Sequence, residues 1–190
     1  MKLALTRVVF SSDFADDFTA GAGLWNAPAT WQAKPGNLKV QGKGFGLIKD
    51  ADYKDFRMDF DISFTNGKGA VWILRAQDEN TYYLFQMTGP NAQDKETFRT
   101  YLYQNGQAKL LKVFRVPESL SVPGDKFHIK IEVNGPEIKH YIRVKSNPKV
   151  TEPQPFSLMT DTTLSHGRIG FGSIEGEEFT VQFVSVIPAK

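Results

Sequence analysis

Short apolar runs separated by turn residues dominate the sequence, and they constrain its fold more than any other feature. Runs rich in Val, Ile, Phe, Tyr and Thr recur between Gly, Pro, Asn and Asp, whereas helical periodicity is almost absent. This pattern predicts an all-β fold, a sandwich or a barrel. The predicted strands are 38–41, 45–48, 56–64, 70–75, 82–87, 98–103, 109–116, 127–133, 138–144, 168–172 and 179–186, with edge strands near 6–10 and 30–32.

Composition narrows the class of protein. A length of 190 residues suits one compact domain over residues 1–190, with residues 1–12 as an N-terminal edge strand or tail. The formal charge of +2 gives little attraction to nucleic acid. The absence of Cys excludes disulfides, thiolate catalysis and thiolate-bound metals. No run approaches the ~18 apolar residues that cross a bilayer, so we expect no membrane insertion.

Turn residues predict which strands pair. Asn105-Gly106 is a strong hairpin signal, because both residues tolerate the positive φ of a type I′ turn. The resulting register puts Tyr101 opposite Leu110 and Arg99 opposite Lys112. In the same way, residues 134–136 and 65–67 predict hairpins between the strands on either side of them.

The order of motifs along the chain carries a family resemblance. The motifs are Trp31, Asn37-Leu38-Lys39-Val40-Gln41-Gly42, residues 52–61, residues 69–78, residues 80–83, Asp161-Thr162-Thr163 and Gly167-Arg168-Ile169-Gly170-Phe171. Over residues 13–187 this order resembles the concanavalin A-like lectin/glucanase superfamily. Within it, the chain is similar to the jelly-roll modules grouped with family-66 carbohydrate-binding modules and to the 3-keto-disaccharide hydrolase domain.

The resemblance implies two antiparallel sheets of six or seven strands, forming a β-sandwich with one concave face. It implies a non-catalytic, lectin-like module that binds an oligo- or polysaccharide on that face. Hydrolysis of 3-keto-glycosides and a structural or interaction role are the alternatives. It also implies an extracellular or periplasmic location, a place in a larger multidomain chain, and a structural calcium ion as the one cofactor to consider.

Asp59 and Asp61 are a candidate catalytic pair. Retaining glycosidases place two carboxylates at a short separation, and the i, i+2 spacing on one strand provides it. The strand has no glutamate and no third carboxylate, however. Because Phe60 and Ile62 alternate with the two aspartates as a buried face, we expect Asp59 and Asp61 to point to solvent instead.

The hairpin of residues 70–87 contains the best ligand candidates. If Ala76 faces Tyr82, then Arg75 lies across from Tyr83, and a guanidinium beside a phenol suits sugar hydroxyls and sugar C–H bonds. The alternative is that Arg75 supports the loop through Asp78 or Glu79. The candidate ligand-binding residues of this hairpin are Trp72, Arg75, Asp78, Tyr83 and Gln86.

Arg99, Tyr101 and Tyr103 alternate along one strand and therefore share a face. With Lys112 on the partner strand, they extend the candidate carbohydrate-binding surface. A solvated sheet surface with ordinary cross-strand packing is the competing interpretation.

Other candidates are weaker. Asp13, Asp16 and Asp17 form an oxygen-rich group that a calcium ion could use, although an acidic turn before a strand is the simpler interpretation. The three His residues lack metal-ligand spacing. We expect Trp31 to fill the core, and the sequence leaves the position of Trp25 open.

Overall fold

The computed structural model describes residues 11–117, 126–145 and 154–189, and within them the chain is built of β-strands. The predicted edge strand near 6–10 lies outside these residues. The strands are β1 (Phe14–Asp16), β2 (Trp25–Asn26), β3 (Gln32–Lys34), β4 (Asn37–Val40), β5 (Gly44–Ile48), β6 (Phe56–Phe64), β7 (Gly69–Ala76), β8 (Tyr82–Thr88), β9 (Thr97–Gln104), β10 (Gln107–Arg115), β11 (Lys126–Asn134), β12 (Glu137–Val144), β13 (Ser157–Thr160), β14 (Arg168–Ser173) and β15 (Phe179–Pro188).

The strands form two antiparallel sheets, which confirms the predicted β-sandwich. One sheet has eight strands in the order β13-β12-β11-β6-β15-β4-β3, with β1 also paired to β15. The other has seven in the order β10-β9-β8-β7-β14-β5-β2. The turn at residues 65–67 therefore joins the two sheets, and the prediction of a hairpin there was wrong.

The main core lies between the sheets. Phe60 of β6 meets Trp72 of β7 and Phe171 of β14, with ring centroids 5.7 and 5.2 Å apart. The indole Nε1 of Trp72 donates to Nε2 of His140 at 3.0 Å, which links the sheets by a buried hydrogen bond. Trp25 and Trp31 are 2% and 8% exposed, so both belong to this core.

The Asn105-Gly106 turn forms as predicted, with φ of 50° and 76°. Tyr101 pairs with Leu110, but a bulge between Leu110 and Lys112 then shifts the register. Arg99 consequently faces Val113, and the predicted pair of Arg99 with Lys112 was wrong.

The register of β7 and β8 differs by one residue from the prediction. Leu74, and not Arg75, pairs with Tyr83. Arg75 has φ +53°, and β7 is irregular in its pairing with β14 beside it. Side chains alternate between the two faces of a strand. This one-residue difference therefore moves the residues of β8 that were expected on the outer face to the core face, and the reverse.

Within the described residues there is no helix long and apolar enough to cross a membrane.

Candidate functional site

The outer face of the seven-stranded sheet carries a second apolar cluster, which we term the concave face. Its buried members are Leu47, Val71, Ile73, Ala76, Tyr82 and Leu84. Phe45 of β5 and Tyr82 of β8 approach to 5.1 Å, although β14 and β7 lie between their strands. Side chains from such distant strands meet where a sheet curves toward them.

Two glycines of β14 make this approach possible. A Cβ atom on Gly172 would lie 2.4 Å from Cδ1 of Phe45, and one on Gly170 would lie 2.6 Å from Cδ2 of Leu47. Phe45 and Leu47 therefore lie over the backbone of β14, in the space that side chains would otherwise fill.

A row of aromatic rings crosses the concave face. Tyr82 stacks on Tyr103 with a centroid distance of 4.7 Å, and Tyr103 lies 6.4 Å from Tyr101. Tyr82 is only 3% exposed, whereas Tyr101 and Tyr103 are half-buried. Burial raises the pKa of both Tyr82 and Tyr103, so their hydroxyls stay protonated and able to donate near neutral pH. Tyr101 and Tyr103 are thus the tyrosines of this row that offer surface to a ligand.

An open cleft of about 380 Å³ lies at one end of this row. Its apolar wall includes Phe45, Leu47, Ile73 and Tyr82. The polar groups that line it are Asn26, Asp78, Glu79, Asn80 and Arg168. An apolar wall with a few polar groups is typical of a small-molecule site. Arg168 is not among the residues predicted from the sequence, because no local signal shows that β14 borders the cleft.

Two backbone hydrogen bonds hold the loop between β7 and β8, which carries Asp78 and Glu79. The backbone N–H of Gln77 donates to the carbonyl of Thr81 at 2.9 Å. The N–H of Gly106, in the β9–β10 turn, donates to the carbonyl of Asn80 at 2.9 Å. The neighbouring hairpin therefore holds one wall of the cleft in place.

A buried polar network lies elsewhere on the concave face, centred on Glu177. Nε2 of Gln86, which is fully buried, donates to Oε1 of Glu177 at 2.6 Å and to Oε2 of Glu175 at 3.1 Å. The hydroxyl of Ser173 and the backbone N–H groups of Ile174 and Glu175 donate to the other oxygen of Glu177. Gln86 therefore lies on this face as part of a satisfied network.

Arg99 joins the same network from β9. Its guanidinium contacts Asp94 and lies 3.6 Å from Glu175. Burial opposes the charge of Arg99, but Tyr101 and Asp94 outweigh burial and raise its pKa. Arg99 thus shares a face with Tyr101 and Tyr103, as predicted from the alternation, and its charge is already paired.

Three candidate ligand residues lie inside the sandwich instead. Arg75 is 1% exposed and donates to the carbonyls of Leu164, Lys54 and Gly135. Tyr83 and Trp72 are fully buried, and the hydroxyl of Tyr83 donates to Asp161. The register places Trp72 and Tyr83 on the core face, and the positive φ of Arg75, where β7 pairs irregularly with β14, brings its side chain to the same side. None of the three belongs to the proposed ligand surface.

Asp59 and Asp61 are not solvated, contrary to expectation. They are 8% and 4% exposed on the outer face of the eight-stranded sheet, where His128 lies within 3.4 Å of Asp59 and 2.9 Å of Asp61. Arg57 makes two hydrogen bonds to Asp59, and Lys145 contacts Asp61. Burial alone would raise the pKa of each aspartate, but these donors outweigh it and lower both values.

Asp13, Asp16 and Asp17 do not converge on a common point. Asp16 accepts hydrogen bonds from Trp25 Nε1 and from the N–H of Phe18, and Asp17 accepts one from Thr19. Among residues 11–117, 126–145 and 154–189, no group of three or more His, Cys, Asp or Glu could hold a metal ion.

Solved structures share this architecture. The carbohydrate-binding module CBM66 from Bacillus subtilis aligns with 21% identity and a TM-score of 0.65, over 84% of this chain and 92% of that one. A β-glucanase from Bacillus licheniformis aligns with 11% identity and a TM-score of 0.65, over 94% and 99%. A xylan β-1,4-xylosidase from Bacillus halodurans aligns with 12% identity and a TM-score of 0.68, over 96% of this chain but 41% of that one.

These similarities establish the fold. No protein-family model and no curated protein sequence matches the chain. The structural alignments nevertheless confirm the resemblance predicted from the motifs: the protein has the concanavalin A-like jelly-roll fold.

Proposed function

We propose that the protein is a non-catalytic carbohydrate-binding module that recognises a glycan on the concave face. The observation that carries this proposal is the open cleft of about 380 Å³, continued by the partly exposed rings of Tyr101 and Tyr103. Aromatic rings pack against sugar C–H bonds, and the polar groups of the cleft suit hydroxyls. Of the predicted ligand residues, Asp78, Tyr101 and Tyr103 offer exposed surface on this face. Gln86 and Arg99 lie on it too, but they are buried and already paired.

The names of similar structures support a carbohydrate ligand. They include the carbohydrate-binding module, a prokaryotic β-1,3-1,4-glucanase, and the VIP36 lumenal domain with Ca²⁺ and Man3GlcNAc bound. The same likeness supports the proposal that this module works outside the cytoplasm, in the extracellular space or the periplasm, and as part of a larger chain.

The buried carboxylate of the concave face, Glu177, does not suit hydrolysis. Glu175 and Glu177 form a close pair, since one Gln86 nitrogen donates to both. Glu177 is 1% exposed, however, and the donors around it occupy both of its oxygens. A substrate cannot reach this carboxylate, which therefore lacks the access that a nucleophile or general base needs.

A glycan array followed by affinity gel electrophoresis tests the proposal. We expect the wild type to bind a subset of glycans, and Tyr103→Ala and Tyr101→Ala to weaken binding about tenfold each, because each loses a ring contact of roughly 1.5 kcal/mol. Tyr141→Ala is the matched control, since Tyr141 is a half-buried tyrosine on the outer face of the eight-stranded sheet.

Equal retention of wild type and both variants on every polysaccharide would contradict the proposal. Release of free sugar from a 3-keto-disaccharide by the purified protein would favour the hydrolase alternative instead. Thermal denaturation of each variant separates loss of binding from loss of folding.

A further inference from the structure

Among the residues that the structure describes, three with charged side chains line the cleft: Asp78, Glu79 and Arg168. The two carboxylates are exposed and the guanidinium is half-buried. The cleft therefore has a net negative charge, although the whole chain carries +2. A ligand in the cleft is affected mainly by these nearby charges, because salt screens exposed charges that lie more than about 10 Å away.

Arg168 has unused hydrogen-bonding capacity. Arg75 donates to three carbonyls, Arg99 is paired with Asp94 and Glu175, and Arg115 lies 3.6 Å from Glu96. No described residue accepts a hydrogen bond from the guanidinium of Arg168 or forms an ion pair with it. A guanidinium presents its N–H groups as a planar fork, which suits two neighbouring oxygen atoms.

The acidic loop supplies the complementary acceptors. Oδ1 of Asp78 accepts a hydrogen bond from the N–H of Asn80 at 2.7 Å, which restrains the carboxylate. The bond from Gly106 to Asn80 restrains the loop itself. The cleft thus combines a donor fork, a restrained acceptor in Asp78, a second acceptor in Glu79, and an apolar wall of Leu47, Ile73 and Tyr82.

The chemistry of the ligand follows from this combination. Each sugar hydroxyl both accepts and donates a hydrogen bond, so two vicinal hydroxyls can accept from Arg168 while they donate to Asp78 or Glu79. A carboxylate on the sugar could also accept from Arg168, but it would meet the like charges of Asp78 and Glu79 in the same cleft. A cleft of about 380 Å³ is near the lower limit for ligand sites, which suits one or two sugar rings.

Building on the proposed glycan-binding function, we propose that the cleft binds a neutral sugar unit through vicinal hydroxyls held by Arg168 and the Asp78–Glu79 loop, and that it rejects uronic acids. Arg168 is then a specificity-determining residue of the site.

The test is an array that carries oligosaccharides of glucose, mannose, galactose, xylose and fructose beside those of glucuronic and galacturonic acid. We expect the wild type to bind neutral glycans only. Arg168→Gln should weaken that binding about tenfold. The double variant Asp78→Asn, Glu79→Gln should weaken it too and should raise binding to uronic acids. Arg115→Gln is the matched control, because Arg115 is an arginine of β10 whose side chain is 77% exposed.

The outcomes distinguish failure of this inference from failure of the proposed function. Binding to uronic acids equal to or stronger than binding to neutral glycans would overturn this inference and leave the proposed function in place. Unchanged neutral binding by Arg168→Gln would also overturn it. Failure to bind any glycan would contradict the proposed function itself.

Discussion

Arg75 shows how one buried residue can hold together parts of the chain that are distant in sequence. Its guanidinium donates to Leu164, Lys54 and Gly135, which belong to three separate loops, and lies 3.7 Å from Asp55. Without Arg75, the buried carbonyl of Leu164 and the part-buried carbonyls of Lys54 and Gly135 would lose this donor. The residue that looked most like a sugar ligand in the sequence therefore has a structural role.

We expect Arg75→Ala to lower the free energy of unfolding by about 3 kcal/mol, because one buried and two part-buried carbonyls lose their donor and a buried side chain is removed. Urea denaturation measures this change. Arg168→Ala is the control, and its cost should stay below about 1 kcal/mol because its side chain has no described partner. An Arg75→Ala protein as stable as the control variant would show that Arg75 does not tie the loops together.

The buried side chain of His140 makes the stability of the protein depend on pH. It is fully buried among Trp72, Phe85 and Phe98, and burial lowers its pKa to about 3. The unfolded state takes up a proton near pH 6.5, whereas the folded state stays neutral. Stability is therefore lost as the pH falls below 6.5, by about 2 kcal/mol between pH 6.5 and 4.5.

The variant His140→Gln keeps an acceptor for Trp72 but does not titrate. Urea denaturation at pH 6.5 and 4.5 should show a smaller loss of stability for this variant than for the wild type. Equal losses in the two proteins would mean that His140 is protonated in the folded state.

Among the strands, β14 shapes the candidate site through its two glycines, Gly170 and Gly172, which have no side chains. Gly172 makes room for Phe45, whereas a Cβ on Gly170 would lie 2.1 Å from the carbonyl oxygen of Gly46. The first clash involves a side chain that can rotate, and the second involves backbone that cannot easily move. The two positions should therefore respond differently to alanine.

We expect Gly172→Ala to push Phe45 into the cleft, with about a tenfold loss of glycan binding and a modest loss of stability. Gly170→Ala should lower stability by more than about 2 kcal/mol, since strand β5 must shift. Calorimetry and glycan binding on both variants provide the measurements. Full binding by a stable Gly172→Ala protein would exclude Phe45 from the site.

The elements also show what local sequence can predict. The long strands and the Asn105-Gly106 turn were predicted because period-two alternation and positive-φ residues are local signals. The short strands β1, β2 and β13 were not, because two to four residues carry too little pattern. The register of β7 could not be predicted, since a non-glycine residue at φ +53° leaves no sequence signal.

The candidate site depends on the whole molecule, which limits its prediction further. Tyr101 and Tyr103 could be found from alternation on one strand. Arg168 could not, because the cleft combines residues of β2, β5, β7, β8 and β14 that only the complete sheet brings together. The burial of Asp59 likewise depends on His128, which lies on a strand distant in sequence.

Because of His128, the stability of the whole molecule decreases at alkaline pH. Hydrogen bonds to Asp59 and Asp61 raise its pKa to about 9. Because this exceeds the unfolded value near 6.5, the folded state keeps a proton that the unfolded state loses. The contribution, about 3 kcal/mol, is complete below pH 6.5 and is lost as the pH rises through 9.

The raised pKa of His128 and the lowered pKa of His140 together predict a stability maximum near pH 6.5. Urea denaturation from pH 4.5 to 9.5 should show it, and His128→Asn should flatten the alkaline side. A wild-type profile that stays level from pH 6.5 to 9.5 would contradict the proposed ion pairs of His128.

The bulge in β10 has a consequence for the behaviour of the protein in concentrated solution. β10 is the last strand in the seven-stranded order and exposes Leu110 and Val113 by about half. A straight strand of this kind would invite a second copy to pair with it and start a growing aggregate. The extra residue between Leu110 and Lys112 interrupts the regular row of backbone donors and acceptors, and the lysine adds charge, so the sheet is protected against extension from molecule to molecule.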